Sequence, residues 1–147
     1  MNRGIKRENI EHFLNLSDAD IIHPNKVANI EDGVKMLMKH IANNSLVYVP
    51  IDSDCDGFTS AALFINYLNR LFPSFAQNNI IYKAQLDKSH GIIEDRIPAG
   101  TKLVVAIDSS SNEYDVHKRL ADAGIDVLVI DHHDAEKVSE YACVINN

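Results

Sequence analysis

Between Asn29 and Asn43 the apolar residues are Ile30, Val34, Leu37, Met38 and Ile41, the spacing of one face of an amphipathic helix. Asn43-Asn44 supplies its stop signal. A weaker helical pattern runs from Lys6 to Leu14, and Pro24 separates the two. The period then changes. Leu46-Val47-Tyr48-Val49-Pro50-Ile51 is a short apolar, β-branched run that predicts a strand. A polar segment from Asp52 to Gly57 follows, and then an apolar helix from Thr59 to Leu71.

The same grammar recurs further on. Lys102-Leu103-Val104-Val105-Ala106-Ile107 ends at Asp108 and passes through Ser109-Ser110-Ser111 into a helix carrying Val116, Leu120 and Ala123. Ser110 and Glu113 have the spacing of a capping box, and Gly124 closes that helix. Asp126-Val127-Leu128-Val129-Ile130 predicts another strand, ending at Asp131-His132-His133, with Asp134 placed to cap a last short helix. Ile80-Ile81-Tyr82 and Val144-Ile145 are further strand candidates. Continuous apolar runs alternating with helices indicate strands buried on both faces. The expected fold class is therefore α/β, a mostly parallel β-sheet with right-handed crossovers, flanked by helices. We expect a single domain, with residues 1–44 as a helical N-terminal lead-in and residues 45–147 as the core.

Composition agrees with this. At 147 residues the chain suits one domain, and 46% hydrophobic with 24% charged residues is the balance of an ordinary globular protein. No apolar run approaches a membrane span. The N-terminus, Met1-Asn2-Arg3-Gly4-Ile5-Lys6-Arg7, is basic but leads into Glu8 and Glu11, unlike a secretory signal. A cytoplasmic protein is expected. Cys55 and Cys143 have no C-x-x-C spacing, so neither a disulfide framework nor a thiolate zinc site is indicated. A net charge of −7 argues against binding nucleic acid through an overall basic surface.

Where the acids sit changes the picture. Three of the strands stop at an aspartate, and ligands of open α/β sheets bind beyond the carboxyl ends of the strands. Asp52, Asp54, Asp56, Asp108, Asp131, His132 and His133 are thus expected around one rim. A single strand-end aspartate is ordinarily a turn or cap residue, but the joint occurrence asks for more. If Asp52 to Asp56 is extended, its three carboxylates share one face, and their repulsion calls for cations. Carboxylates joined by imidazole suit Mn²⁺ or Mg²⁺. There are ligands enough for two ions, the arrangement used for in-line displacement at phosphorus.

These residues resemble the motifs of the DHH phosphoesterase superfamily and, within it, of the RecJ-like single-strand-specific exonucleases. Asp52-Ser53-Asp54-Cys55-Asp56-Gly57-Phe58-Thr59-Ser60 is similar to the first motif, Asp108 after its apolar strand to the second, and Asp131-His132-His133 to the third. Softer matches are Phe13-Leu14 through Pro24, Ser89-His90-Gly91-Ile92 and Val144-Ile145-Asn146.

The resemblance implies that Asp54, Asp56, Asp108 and His132 are metal ligands, with Asp108 bridging two ions. Asp52 would be an additional ligand or the partner of one. His133 would face the scissile phosphate and Asp131 would orient the histidine pair. Gly57 would allow a tight turn and close backbone approach, while Thr59, Ser60, Ser109 and His90 are candidate phosphate contacts. Thr59 and Ser60 are equally helix-cap candidates. Lys83, Lys88 and Arg96 are available as positive charge for a substrate strand, or as a solvated basic face. Cys55 is expected to be a small packing residue.

The implied activity is metal-dependent hydrolysis of single-stranded DNA from the 5′ end. Two other readings compete: hydrolysis of short oligonucleotides or cyclic dinucleotides, and a non-catalytic DHH binding or assembly module. The family's second motif usually carries a glycine soon after its aspartate, where Ser109-Ser110-Ser111 stand here. Its DHH domain also continues to a fourth motif with another metal-ligating aspartate and then to a substrate-gripping domain, whereas only 16 residues follow Asp131. From this we expect a weak nuclease on its own, an uncovered sheet edge near Val144-Ile145, and a homodimer or a partner chain that supplies the rest.

Overall fold

Strands that are apolar along their whole length need cover on both faces, and the computed structural model of the chain provides it. The structure describes residues 5–85 and 90–146; Met1 to Gly4, Lys88 and Ser89 lie outside the described residues. In chain order the elements are α1 (Ile10–Leu14), α2 (Ile30–Ala42), β1 (Leu46–Ile51), α3 (Cys55–Leu71), α4 (Pro73–Asn79), β2 (Ile80–Ala84), β3 (Thr101–Ile107), α5 (Tyr114–Asp122), β4 (Asp126–Asp131) and β5 (Cys143–Asn146). The fold is α/β: one five-stranded sheet in the order β2-β1-β3-β4-β5, with every neighbouring pair parallel.

Alternation sorts the strand residues between two cores. Val47, Val49, Ile51, Leu103, Val105, Ile107, Leu128 and Ile145 pack with Ala61, Leu68, Phe75 and Ala76 of α3 and α4. Met36, Leu37 and Ile41 of α2 join that layer. On the opposite face, Tyr48, Val104, Ala106, Val127, Val129 and Val144 pack with Leu120 of α5 and with Ile92.

Two features position the site. First, the chain leaves β1 toward β2 on one side and resumes at β3 on the other, so the strand order reverses between β1 and β3. A crevice opens at the carboxyl ends of such strands. Second, the strands end flush: Ile51 pairs with Ile107, Ile107 with Ile130 and Ile130 with Ile145. The next residues, Asp52, Asp108, Asp131 and Asn146, therefore form a single polar row across the sheet.

Several local expectations are corrected. The segment from Asp52 to Asp56 is not extended, because α3 starts at Cys55, four residues before Thr59. The Asp54 side chain caps this helix, accepting the Gly57 N–H at 3.0 Å. Cys55 consequently points to solvent in the first turn and is exposed instead of packed. The Ser110–Glu113 capping box does not form, because Glu113 turns its carboxylate to the Ile92 N–H at 2.9 Å. No helix follows Asp134; residues 132–142 are irregular, held by side-chain bonds such as Asn112 Nδ2 to the Asp134 carbonyl at 2.8 Å. Pro73, at the first position of α4, starts a separate short helix that the apolar pattern does not predict.

Helix α2 covers one face of β5. Val144 and Ile145 are buried, and the Asn29 Nδ2 donates to the Val144 carbonyl at 2.7 Å. A Cβ at Gly33 of α2 would stand 2.5 Å from Ile145 Cδ1, so the helix lies directly on the strand. Among the described residues, no helix is long and apolar enough to cross a membrane.

Candidate metal centre

Asp108 follows β3, the central strand of the sheet. Its backbone is in the left-handed region, at φ 65°, which is uncommon for a residue other than glycine and turns the chain sharply away from β3. The Asp108 N–H remains on the sheet, donating to the Ile130 carbonyl at 2.8 Å. Burial raises the Asp108 pKa, and the charges of Asp56 and Asp54 raise it further. A buried carboxylate facing two others is stabilised by a cation.

The other two acids come from the start of α3. Asp54 is its cap, and the Gly57 N–H holds its pKa down. Asp56 lies in the first turn. Ligand atoms of Asp54, Asp56 and Asp108 all lie within 4.8 Å of one another, as do those of Asp108, His132 and His133. Asp108 belongs to both groups. The donors are carboxylate oxygens and imidazole nitrogens, which fit hard divalent ions such as Mn²⁺ or Mg²⁺.

The two histidines are held differently. His132 Nε2 is 3.1 Å from Asp108 Oδ1, whereas His133 Nδ1 is 2.7 Å from Asp131 Oδ1. Their ring centroids are 4.7 Å apart. Asp131 also accepts the backbone N–H groups of His132 at 2.7 Å, His133 at 3.2 Å and Ser111 at 3.2 Å. Burial opposes its charge, but these hydrogen bonds prevail and lower its pKa to about 2. The bond to Asp131 in turn raises the His133 pKa. Asp131 thus holds the backbone of both histidines but the ring of His133 alone, and the ring of His132 meets Asp108.

Asp52 lies outside both groups. It is buried, accepts the Ser53 N–H at 2.7 Å and holds His90 Nδ1 at 2.8 and 3.0 Å. The bond to Asp52 raises the His90 pKa. His90 and Asp52 line an open cleft with Asp54, Asp108, Ser109, Ser110, Ser111, Asp131 and His133.

The remaining candidates divide. Gly57 needs space and not a special turn: a Cβ there would meet Asp52 Cβ at 2.7 Å. The Thr59 hydroxyl donates to the Cys55 carbonyl at 2.8 Å and that of Ser60 to the Asp56 carbonyl at 2.6 Å. Both turn back into the helix, because α3 begins upstream of them. Lys83 is exposed on the edge strand β2, and Arg96 is half-buried near Tyr48 on the α5 face.

Four residues that shape the rim are not among the site candidates read from the sequence. Gln85 Nε2 donates to the Gly91 carbonyl at 2.5 Å, and Glu113 accepts the Ile92 N–H; between them they hold the two residues that follow His90. Ser111 and Asn146 brace the loops after β3 and β4. Asn146 is open to the same strand-end argument that selects the aspartates. The partners of Gln85 and Glu113, across loops, carry no local signal.

Residues 46–147 match the DHH family, N-terminal domain. The chain belongs to the DHH family. It is 40% identical over 146 residues to a Bacillus subtilis (strain 168) protein named as an SPbeta prophage-derived single-strand DNA-specific exonuclease, YorK, covering 99% of this chain and 24% of that protein. It is 28% identical over 131 residues to the single-stranded-DNA-specific exonuclease RecJ of Haemophilus influenzae, covering 83% of this chain and 22% of that one. The chain thus spans about a quarter of the length of these curated relatives. Among solved structures, this DHH chain resembles exonuclease RecJ bound to manganese, with TM-score 0.70 and 18% identity over 86% of this chain and 33% of that one. RecJ in complex with Mn²⁺ from Thermus thermophilus gives TM-score 0.66 and 17% identity over 86% and 18%. At these identities the structural likeness speaks for the shared DHH fold.

Proposed function

We propose that this chain carries the metal centre of a phosphodiesterase that hydrolyses single-stranded DNA from the 5′ end, using two Mn²⁺ or Mg²⁺ ions. The observation that carries the reading is that Asp108 lies within ligand distance of Asp54 and Asp56 on one side and of His132 on the other, as a carboxylate shared between two ion positions would. The choice of substrate follows the names of the relatives.

In this reading Asp54, Asp56, Asp108 and His132 hold the ions. When bound, the ions supply the positive charge that activates a water and stabilises the leaving oxygen. His133, with Nδ1 fixed by Asp131, presents Nε2 to the scissile phosphate. Asp131 keeps that ring oriented in the tautomer with Nδ1–H. His90, pinned by Asp52, flanks the cleft together with Ser109.

The test separates metal from substrate. Millimolar Mn²⁺ should raise the melting temperature of the purified chain, since a ligand selective for the native state stabilises it. Asp108→Ala should abolish that response and His133→Ala should keep much of it, while in a protein with the complete active site each should abolish hydrolysis. An unchanged melting temperature in wild type would sink the metal assignment. Strands labelled at the 5′ or 3′ end, digested beside dinucleotides, test the substrate, and a preference for dinucleotides would overturn the exonuclease reading.

A further inference from the structure

The loops that follow β3 and β4 contain the centre's second and third motifs, yet neither has regular structure where the histidines and serines stand. Something else must fix them. Asn146, the last residue of β5, is the register partner of Asp131. Its Nδ2 donates to Ser111 Oγ at 2.9 Å and to the His133 carbonyl at 2.7 Å. The Ser111 N–H donates to Asp131 Oδ2 at 3.2 Å, and Asp131 Oδ1 holds His133 Nδ1 at 2.7 Å. The four residues close a ring of hydrogen bonds that runs from Asn146 through Ser111, Asp131 and His133 back to Asn146.

We propose that Asn146 is a positioning residue of the metal centre, tying the loop after β3 to the loop after β4 so that His132 and His133 stand at the right place beside Asp108. The inference rests on the reading of that cluster as a metal centre. The chemistry selects asparagine: one nitrogen carries two hydrogens, and each meets a separate acceptor. An aspartate of the same shape would have only acceptors and would face the His133 carbonyl. Ser111 is almost fully buried, so its hydroxyl has little access to water as a substitute for the amide.

Asn146→Ala and Asn146→Asp test this in the full 147-residue chain. Mn²⁺ affinity is read from the paramagnetic resonance of free Mn²⁺, and fold from the melting temperature in chelator. Ser111→Ala removes one bond of the ring. Asn29→Gly removes a different side-chain bond to β5, the one to the Val144 carbonyl, and controls for general loosening of that strand. Loss of an outer hydrogen bond of this kind typically weakens metal binding about 10- to 100-fold. Both Asn146 variants should bind Mn²⁺ at least about tenfold more weakly, Ser111→Ala should lose less, and Asn29→Gly should match wild type. Wild-type affinity in both Asn146 variants would overturn the proposal, as would an equal loss in Asn29→Gly. If both Asn146 variants fail to fold, unchanged affinity in Ser111→Ala overturns it and weakened affinity there supports it. Failure of wild type itself to bind Mn²⁺ would remove the metal-centre reading, and this inference with it.

Discussion

Gly57 lies so close to Asp52 that a methyl group at position 57 would stand 2.7 Å from the Asp52 Cβ and 3.0 Å from Asp54 Oδ1. The first turn of α3 therefore rests directly on the end of β1, and the approach places Asp54 and Asp56 over the polar row. The Asp52 Cβ, and the Asp52 backbone carbon at 3.2 Å, have little room to give way. Gly57→Ala should lower stability by about 1–3 kcal/mol, the usual cost of overpacking, and weaken Mn²⁺ binding by moving both carboxylates. Urea unfolding alongside a Mn²⁺ titration measures both effects.

Asp108 predicts a reversal between stability and metal binding. Its folded pKa is raised by burial and by Asp56 and Asp54, so its contribution is fully favourable only below the ordinary carboxylate value of about 4 and is lost as pH rises through the folded pKa. At neutral pH, without metal, Asp108→Asn should melt a few degrees above wild type, because asparagine removes the repulsion and tolerates the positive φ. Added Mn²⁺ should raise wild type past the variant. Thermal scans with chelator and with Mn²⁺ decide it; a variant that melts lower in chelator would show that the charge is not a burden.

For Asp131 the sign is opposite. Its folded pKa is held at about 2, so its stabilisation is complete above the ordinary value of about 4 and fades as pH falls from there through about 2. Asp131→Asn should destabilise by about 2–3 kcal/mol near neutrality, since the backbone and imidazole donors lose a charged acceptor. The gap between wild type and variant should close as pH falls toward 2. Denaturant midpoints at pH 6 and pH 2.5, compared between the two proteins, provide the check.

Ser110 holds φ 79°, in the region that favours glycine. The left-handed conformation costs an ordinary residue roughly 1–2 kcal/mol, against about 0.5–1 kcal/mol for the extra freedom glycine gains on unfolding. Ser110→Gly should therefore stabilise the chain by several tenths of a kcal/mol to about 1 kcal/mol, seen as a higher urea midpoint.

How much of this can be read from the sequence follows from the range of each interaction. The strands are legible because apolar runs such as Leu103-Val104-Val105 have few alternatives to burial, and the aspartates are legible because they end those runs. The start of α3 is harder to place, because Asp54, which reads as a ligand, is also the helix cap. Glu113 misleads for a related reason: local spacing offers it a capping box, but Ile92, 21 residues away, provides the donor it accepts from. The division of labour between His132 and His133 depends on which carboxylate each ring meets, and adjacency along the chain does not reveal it.

The flush ends of β1, β3, β4 and β5 have a further consequence. Neighbouring strands are spaced about 4.8 Å apart by their backbone hydrogen bonds, so the interval from Asp52 to Asp108 to Asp131 to Asn146 is graduated by the peptide ladder and not by side-chain fit. The connecting stretches are free to lengthen or shorten without altering that scale. A single residue inserted within β3, by contrast, would turn its side chains to the opposite faces and take Asp108 off the mark.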